Sequence, residues 1–102
     1  MKSVEDLIDS CVGFDWDEGN EEKNWEKHKV KKTEAEQVFF NSPIVCSEAS
    51  LASTEQRFLV LGKTNAERYL MIIFTLRKDK LIRVISARDM SRKERSFYGE
   101  EK

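Results

Sequence analysis

The pattern of apolar and polar positions divides the chain into a helical first half and a strand-rich second half. Asp17 is suited to cap a helix that follows it, and this predicts one helix over about residues 18–28, with Trp25 as its main buried residue. A second short helix is predicted to start near Thr33, because Thr33 and Glu36 are spaced as a capping box. The Asn-Ser-Pro run at 41–43 ends it. The stripe that this helix turns inward comprises Ala35, Val38 and Phe39.

The second half predicts an antiparallel sheet. Its strands fall at 57–62, 68–76 and 81–87, with a brief edge strand at 44–46. The middle run is apolar on both faces, which is typical of a central strand with cover on each side. A two-residue turn at Lys78 and Asp79 makes paired residue numbers sum to 157, so that Tyr69 faces Arg88. A last helix is predicted to begin near Asp89, with Ser86 or Asp89 as its cap.

These elements predict a small α+β domain with three to four antiparallel strands, two helices in the N-terminal half and one C-terminal helix. The length of 102 residues fits one domain. We expect this domain to occupy residues 14–98. Residues 1–13 form an extension whose apolar spacing predicts a short amphipathic helix, and residues 99–102 form a tail.

The formal net charge of −1 conceals a strong asymmetry along the chain. Residues 1–22 hold eight acids and one base, whereas residues 77–95 hold eight bases and three acids. Such polarity steers an anionic partner towards one face, although two solvated edges of opposite sign would give the same count. Cys11 and Cys46 have no metal-ligand spacing and are expected to be reduced. No signal peptide or membrane span is expected, so the default is a soluble intracellular protein.

The arginines of the second half are the first candidate for chemistry. Antiparallel pairing of their strands brings Arg68 and Arg88 to the same end of the sheet, and Arg92 follows Arg88 by one helical turn. Guanidinium groups match phosphate oxygens, and nearby aromatic rings such as Tyr98 can stack on unpaired bases. The alternative is structural, with Asp15, Asp17 or Glu94 pairing with these arginines.

His28 is the second candidate. It follows Lys27 near the end of the first predicted helix, and histidine ordinarily titrates close to neutrality. Its imidazole can therefore take a proton from a ribose 2′-OH or give one to a leaving oxygen. The alternative is a histidine that caps the helix or satisfies a buried polar group.

Several segments together resemble the BrnT family of ribonuclease toxins from type II toxin–antitoxin systems, over about residues 14–98. The resemblance implies a RelE-like fold and a metal-independent, cofactor-free endoribonuclease that inhibits translation in a bacterial or archaeal cytoplasm. It also implies a BrnA-type antitoxin that neutralises the toxin, with promoter DNA bound only through the antitoxin, and no membrane partner. The matching segments are FDWD (14–17), NWEKHKV (24–30), EAEQVFF (34–40), RFLVLG (57–62), RYLMIIFTLR (68–77) and IRVISARDMSRKERSFY (82–98).

Family motif positions, weighed with the expected geometry, predict two groups of site residues. The catalytic group comprises His28, Arg68, Arg88, Arg92 and Tyr98. The RNA-binding group comprises Lys27, Arg57, Arg77 and Glu94. The chain departs from the family pattern at Lys29, where glycine is common, and at Lys32, where an aromatic residue is usual. The rival hypothesis is a non-catalytic module, such as a degenerate toxin, that binds a partner protein or nucleic acid through the same basic face.

Overall fold

The computed structural model describes residues 8–48 and 57–101. Within these ranges the chain forms three helices and five strands. The helices are α1 (Glu18–His28), α2 (Lys32–Phe40) and α3 (Arg92–Glu101). The strands are β1 (Gly13–Phe14), β2 (Ile44–Glu48), β3 (Phe58–Lys63), β4 (Tyr69–Leu76) and β5 (Leu81–Asp89). No helix in the described part of the chain is long and apolar enough to cross a bilayer.

The α+β class is confirmed, but the expected three to four strands become five. The strand order is β1-β5-β4-β3-β2, and every neighbouring pair except one is antiparallel. The exception is β1, which runs parallel to β5 and pairs Gly13 with Leu81 and Phe14 with Ile82. The sheet is therefore mixed, because this two-residue strand lies against the far edge of β5.

The predicted register of the β4–β5 hairpin is wrong by one residue near the turn and by two at the open end. The turn holds three residues, since the Arg77 N–H donates to the Leu81 carbonyl and Lys80 takes a left-handed φ of 62°. A bulge in β5 opposite the Ile73–Phe74 step adds one more residue. Met71 consequently faces Arg88, and Tyr69 accepts a hydrogen bond from the backbone of Met90.

Two hydrophobic clusters cover the two faces of the sheet unequally. The larger one, on the α1/α2 face, includes Ala35 and Phe39 of α2 and Ile72 of β4. The smaller one, on the α3 face, consists of Leu61, Met71, Met90 and Tyr98 with four partly buried neighbours. Gly62 lets α2 lie close to β3, because a Cβ there would come within 2.7 Å of Val38.

Helix α1 has its predicted bounds, but its predicted buried residue is wrong. Trp25 is 44% exposed, and Asn24 is the buried side chain instead. The Asn24 Oδ1 accepts a hydrogen bond from the backbone N–H of Ala87 at 3.1 Å, and the Asn24 carbonyl accepts one from Val30. Burial of a polar side chain is favourable here because the backbone of β5 satisfies it.

Helix α2 turns the predicted stripe of Ala35, Val38 and Phe39 inward, but it is capped one position before its first residue, Lys32. Glu34 accepts a hydrogen bond from the Lys31 N–H at 3.0 Å, in place of the predicted Thr33–Glu36 box. Glu36 instead accepts a 2.8 Å hydrogen bond from the indole N–H of Trp16. The cap is shifted because the tertiary contact with Trp16 engages the carboxylate that local spacing had assigned to it.

Helix α3 begins after a capping box formed by Ser91 and Glu94. The Ser91 Oγ accepts from the Glu94 N–H, and the Glu94 Oε1 accepts from the Ser91 N–H. The predicted caps were wrong, since Ser86 lies inside β5 and Asp89 binds an arginine. The helix continues to Glu101, into the range assigned to the tail, while the predicted N-terminal helix lies largely outside the described residues. The domain division itself stays a prediction.

Candidate functional site

Arg68 stands just before β4 and joins four segments of the chain. Its Nε and Nη2 donate to the Asp89 carboxylate of β5 at 2.7 and 3.1 Å. Its Nη1 donates to the Lys29 carbonyl at 2.7 Å and lies 3.3 Å from both carboxylate oxygens of Glu34. Nη2 also donates to the His28 carbonyl at 3.0 Å. All five N–H donors of this guanidinium are therefore used inside the protein.

The backbone around Arg68 explains why these partners converge. Thr64, which is buried, accepts a hydrogen bond from the Arg68 N–H through its hydroxyl and donates its own N–H to the Arg68 carbonyl. On the other side, Lys29 takes a left-handed φ of 55°, which turns the end of α1 towards α2. The carbonyls of His28 and Lys29 consequently both point at the Arg68 guanidinium.

Asp89 and His28 lie on the α1/α2 face beside Arg68. Hydrogen bonds from Arg68 lower the pKa of the Asp89 carboxyl, and the charge of Arg68 and the proximity of His28 add to that effect. The same contact raises the pKa of the Arg68 guanidinium. The half-buried imidazole of His28 makes no hydrogen bond within the described part of the chain.

Arg88 lies on the α3 face, because it pairs with Met71. Its Nη1 and Nη2 donate to the Glu94 carboxylate at 2.9 and 3.0 Å, and Nη1 also donates to the Asp89 carbonyl at 3.0 Å. The Nε–H and the second N–H of Nη2 have no partner among residues 8–48 and 57–101. These two donors lie on one edge of the planar guanidinium, which is the fork that binds phosphate in a bidentate manner.

Glu94 holds Arg88 from the first turn of α3. Partial burial favours the neutral form of its carboxyl, but hydrogen bonds from Arg88 and Ser91 outweigh that effect and lower the pKa of Glu94. The alternative that a carboxylate pairs with these arginines is confirmed for Arg88 and Glu94. Asp15 and Asp17, which were the other expected partners, pair instead with Arg83 and, for Asp15, with Arg77.

The aromatic residues of the α3 face form a second layer beside Arg88. Tyr98 is only 6% exposed, and its ring meets Tyr69 edge-on with centroids 5.8 Å apart. The Arg95 guanidinium lies 4.8 Å from the Tyr69 centroid, and these three side chains line a surface cavity of about 500 Å³ together with Lys63. Arg92 is exposed at the start of α3 and has no partner in the described ranges.

The predicted site residues lie at the two ends of the sheet, apart from Tyr98, which lies in the hydrophobic cluster on the α3 face. One end of the sheet, here named the Arg68 end, holds Lys27, His28, Arg68, Arg88, Arg92 and Glu94. Arg68 and Arg88 occupy opposite faces there, so the structure does not form the single guanidinium cluster that the sequence predicts. Arg57 and Arg77 lie at the opposite end, where β3 begins and β4 ends. Arg77 is about 20 Å from the level of Arg88 along the strand, because it follows Met71, which faces Arg88, by six residues.

Three residues that matter to this end were not among the predicted ones. Asp89 and Glu34 bind Arg68, and Asn24 fixes α1 to β5. Strand alternation gave a signal for Asp89, because a residue that follows Arg88 in the strand must turn to the opposite face, where Arg68 lies. Asn24 and Glu34 depend on tertiary contacts, which spacing along a helix does not show.

The model of one protein family matches residues 16–94 of the chain, and its description is the ribonuclease toxin, BrnT, of type II toxin–antitoxin systems. The chain belongs to the BrnT family. The resemblance to this family that the sequence segments indicated is thereby confirmed. No curated protein matches the chain.

The fold agrees with that of a solved member of the family. The crystal structure of the Brucella abortus ribonuclease toxin, BrnT, superposes with a TM-score of 0.61 at 24% sequence identity. The alignment covers 79% of this chain and 99% of that chain. The likeness confirms the α+β fold class. In this chain the fold consists of the five-stranded sheet described above, with helices on both of its faces.

The Arg68 end offers cations and hydrogen-bond donors. Among the described residues, no group of three or more His, Cys, Asp or Glu side chains is arranged to hold a metal ion. The carboxylates present, Glu34, Asp89 and Glu94, are engaged by arginines. This arrangement fits an anionic ligand with several oxygen acceptors.

Proposed function

We propose that this chain cleaves RNA as the toxin of a type II toxin–antitoxin pair, without a metal ion, and thereby inhibits translation in the cytoplasm. Membership of the BrnT family supports the ribonuclease class. The observation that carries the proposal at the level of residues is the Nε/Nη2 edge of Arg88, which binds no group among the described residues. A guanidinium whose other edge is fixed by Glu94 is preorganised to receive a phosphate.

Arg92 completes the phosphate site in this proposal. It is the first residue of α3, two residues before Glu94, which fixes Arg88, and it is exposed. The amino end of a helix carries a partial positive charge that adds to that of the two arginines. Arg88 and Arg92 would hold the scissile phosphate and stabilise the negative charge that grows on it during attack.

His28 carries the proton in this scheme. The ribose 2′-oxygen attacks the adjacent phosphorus in line, its proton passes to the imidazole, and the bond from phosphorus to the 5′-oxygen breaks with protonation of that oxygen. The phosphate must then lie at the end of β5, because His28 and Arg88 flank Asp89 from opposite faces. Arg68 acts as a residue that positions His28, since it donates a hydrogen bond to the His28 carbonyl and has no donor left for RNA.

Tyr98 takes a supporting role. Its ring is buried against Tyr69, and Arg95 lies over that second ring. We propose that the cavity lined by these side chains receives a base of the bound RNA, which is a common use of exposed aromatic and arginine faces. Lys27 and Glu94 adjoin the same end, whereas Arg57 and Arg77 are proposed only as contacts of a longer RNA that follows the sheet.

The test is cleavage of total RNA by the purified chain in the presence of EDTA. The natural chain should cut, and Arg88→Ala should cut about 10²–10³-fold more slowly, because one preorganised donor group is lost. Lys78→Ala is the matched control, since it removes one positive charge at the tip of the hairpin and should cut normally. Loss of cleavage in EDTA would refute the metal-free scheme, and full activity of Arg88→Ala would exclude Arg88 from the site.

The rival proposal is a module that binds without cutting. It is favoured by one observation, namely that Arg68 and Arg88 both already pair with carboxylates. RNA binding without cleavage at any concentration of the natural chain would support it. We further propose a BrnA-type antitoxin as the partner, with promoter DNA bound only through that antitoxin. Growth arrest on expression of the chain, relieved by co-expression of the antitoxin, is the expected result.

A further inference from the structure

We propose that Trp25, Lys29 and Lys31 form a subsite on which an unpaired RNA base stacks, next to the cleaved phosphodiester. The inference rests on the proposed function in taking RNA as the ligand. It adds a place where the nucleotide beside the scissile bond is held, built from three side chains that are not among the predicted site residues.

The first observation is an exposed tryptophan. The Trp25 side chain is 44% exposed on α1, although the sequence predicts it as the buried residue of that helix. It lines a surface cavity of about 310 Å³ with Lys31, Lys32 and Thr33. Nearly half of this large flat side chain is left at the surface, and indole is a strong stacking surface for nucleobases.

The second observation is the positive charge around the ring. The Lys29 Nζ lies 5.1 Å from the Trp25 ring centroid, and the Lys31 Nζ lies 6.0 Å from it. Residues 23–32 hold five lysines and one glutamate, in a chain whose formal net charge is only −1. Both ammonium groups lie over the ring and are within reach of the phosphates that flank a base stacked on it.

The third observation connects this platform to the proposed catalytic end. Trp25 precedes His28 by three residues on α1, a rise of about 4.5 Å along the helix axis. The carbonyl of Lys29 accepts a hydrogen bond from Arg68 Nη1 at 2.7 Å, while the ammonium group of the same residue lies over Trp25. The guanidinium that positions His28 therefore also fixes the backbone of the platform.

The combination favours single-stranded RNA over an acidic protein segment. An acidic peptide needs only the lysines, whereas a nucleotide uses both parts, the ring for its base and the ammonium groups for its phosphates. Stacking is tolerant of base identity because every base has a π-face. The subsite should thus raise affinity for unpaired RNA without strong sequence preference.

The experiment uses a short single-stranded RNA with 2′-O-methyl riboses, which lacks the attacking hydroxyl and cannot be cleaved by the proposed route. Affinity is measured by anisotropy of the labelled oligonucleotide with the full chain and with Trp25→Ala, Trp25→Phe and Lys78→Ala. We expect Trp25→Ala to weaken binding roughly tenfold, Trp25→Phe to weaken it less because phenylalanine still stacks, and Lys78→Ala to bind normally. Thermal unfolding midpoints check that the variants remain folded.

A second measurement reports on the ring itself. The chain has two tryptophans, so Trp16→Phe leaves Trp25 as the sole indole, and its fluorescence should be quenched on titration with the same oligonucleotide. Unchanged affinity of Trp25→Ala, or absence of quenching, would overturn the subsite. So would a Trp25→Ala protein that binds RNA normally but loses its complex with the antitoxin, because the surface would then be a protein interface.

The outcomes separate this inference from the proposed function. Quenching and Trp25-dependent binding by a chain that never cleaves unmodified RNA would remove the ribonuclease proposal and keep the subsite. Cleavage that is independent of Trp25, together with equal oligonucleotide affinity, would keep the ribonuclease and remove the subsite.

Discussion

At the Arg68 end, the arginines on the two faces of the sheet differ in how many of their hydrogen-bond donors the protein engages. On the α1/α2 face, two helices and the turn between them surround Arg68, and backbone carbonyls and carboxylates engage all of its donors. On the α3 face, Glu94 binds one edge of the Arg88 guanidinium, and the other edge has no partner in the part of the chain that the structure describes. Both arginines pair with carboxylates, yet only one retains donors for a ligand.

The difference shows that an ion pair does not by itself make an arginine structural. What decides its role is the number of donors that remain and whether they lie on a common edge. Glu94 binds one edge of the Arg88 guanidinium and leaves the two donors of the other edge for a ligand. The carboxylates of Asp89 and Glu34, together with two backbone carbonyls, bind all the donors of Arg68. The predictions below test this division of roles.

The largest expected effect on stability is at Arg68. Arg68→Ala should lower the free energy of unfolding by about 3 kcal/mol, since it leaves a part-buried carboxylate and two carbonyls without their donor. Urea denaturation at neutral pH measures the change. Arg83→Ala is the matched control, because Arg83 is equally exposed, at 28% against 27% for Arg68, and also pairs with carboxylates.

Arg83 differs from Arg68 in its partners. Its principal one, Asp17, is 54% exposed, and an exposed ion pair contributes only about 1 kcal/mol or less. Equal losses of stability in Arg68→Ala and Arg83→Ala would show that the network around Arg68 is an ordinary surface ion pair, and the contrast between the two faces would lose its basis.

Sequence patterns predicted the elements better than their contacts. The stripe of α2 is set by apolar periodicity, which the burial of Ala35 and Val38 confirms. The bounds of α1 agree with a helix that begins directly after Asp17 and ends at His28. Alternation of apolar and polar residues over 12–17 predicts a strand there. Its parallel pairing with β5 at Gly13–Phe14 was not predicted, because alternation along a strand does not show which strand it joins. The hairpin register depended on a three-residue turn and a bulge, neither of which has a strong glycine signal in this sequence.

The candidate site shows the same limit at the level of single residues. Pairing of β4 with β5 correctly brought Arg68 and Arg88 to one end, but adjacent residues of a strand point to opposite faces. Tyr69 shares its face with Arg88, so Arg68 has to turn away from both. The partners Glu34 and Asn24 come from helices whose placement on the sheet is a tertiary property that no spacing rule supplies.

A smaller effect is expected in the acid dependence of stability. Hydrogen bonds from Arg68 lower the pKa of Asp89 in the folded chain below its unfolded value. A depressed carboxyl pKa stabilises the fold above the unfolded pKa, near 4, and this contribution is lost as the pH falls through the folded pKa. Asp89→Asn removes the titrating group, so its stability should decline less than that of the natural chain on acidification.

The size of this effect is limited by solvent. The Asp89 side chain is 65% exposed, and we expect a difference of about 1 kcal/mol or less between the two declines. Urea denaturation at pH 6 and at pH 3 measures it, and Glu94→Gln provides the same test on the α3 face, where Arg88 and Ser91 lower the pKa of Glu94 against the effect of burial. Parallel pH profiles for all three chains would show that neither carboxylate is linked to folding.

The smallest expected effect concerns the turn that delivers the two carbonyls to Arg68. Lys29 has a φ of 55°, in the left-handed region that glycine occupies without strain, and it stands where the family commonly has glycine. Lys29→Gly should raise the free energy of unfolding by about 0.5–1 kcal/mol, because relief of the strained backbone exceeds the added entropy of the unfolded chain. Lys31→Gly is the control, since Lys31 also lies over Trp25 but has an ordinary φ of −80°. Lys31→Gly loses the same kind of cation–π contact without relieving any backbone strain. If Lys29→Gly is not the more stable of the two variants, the α1–α2 turn is not strained at Lys29.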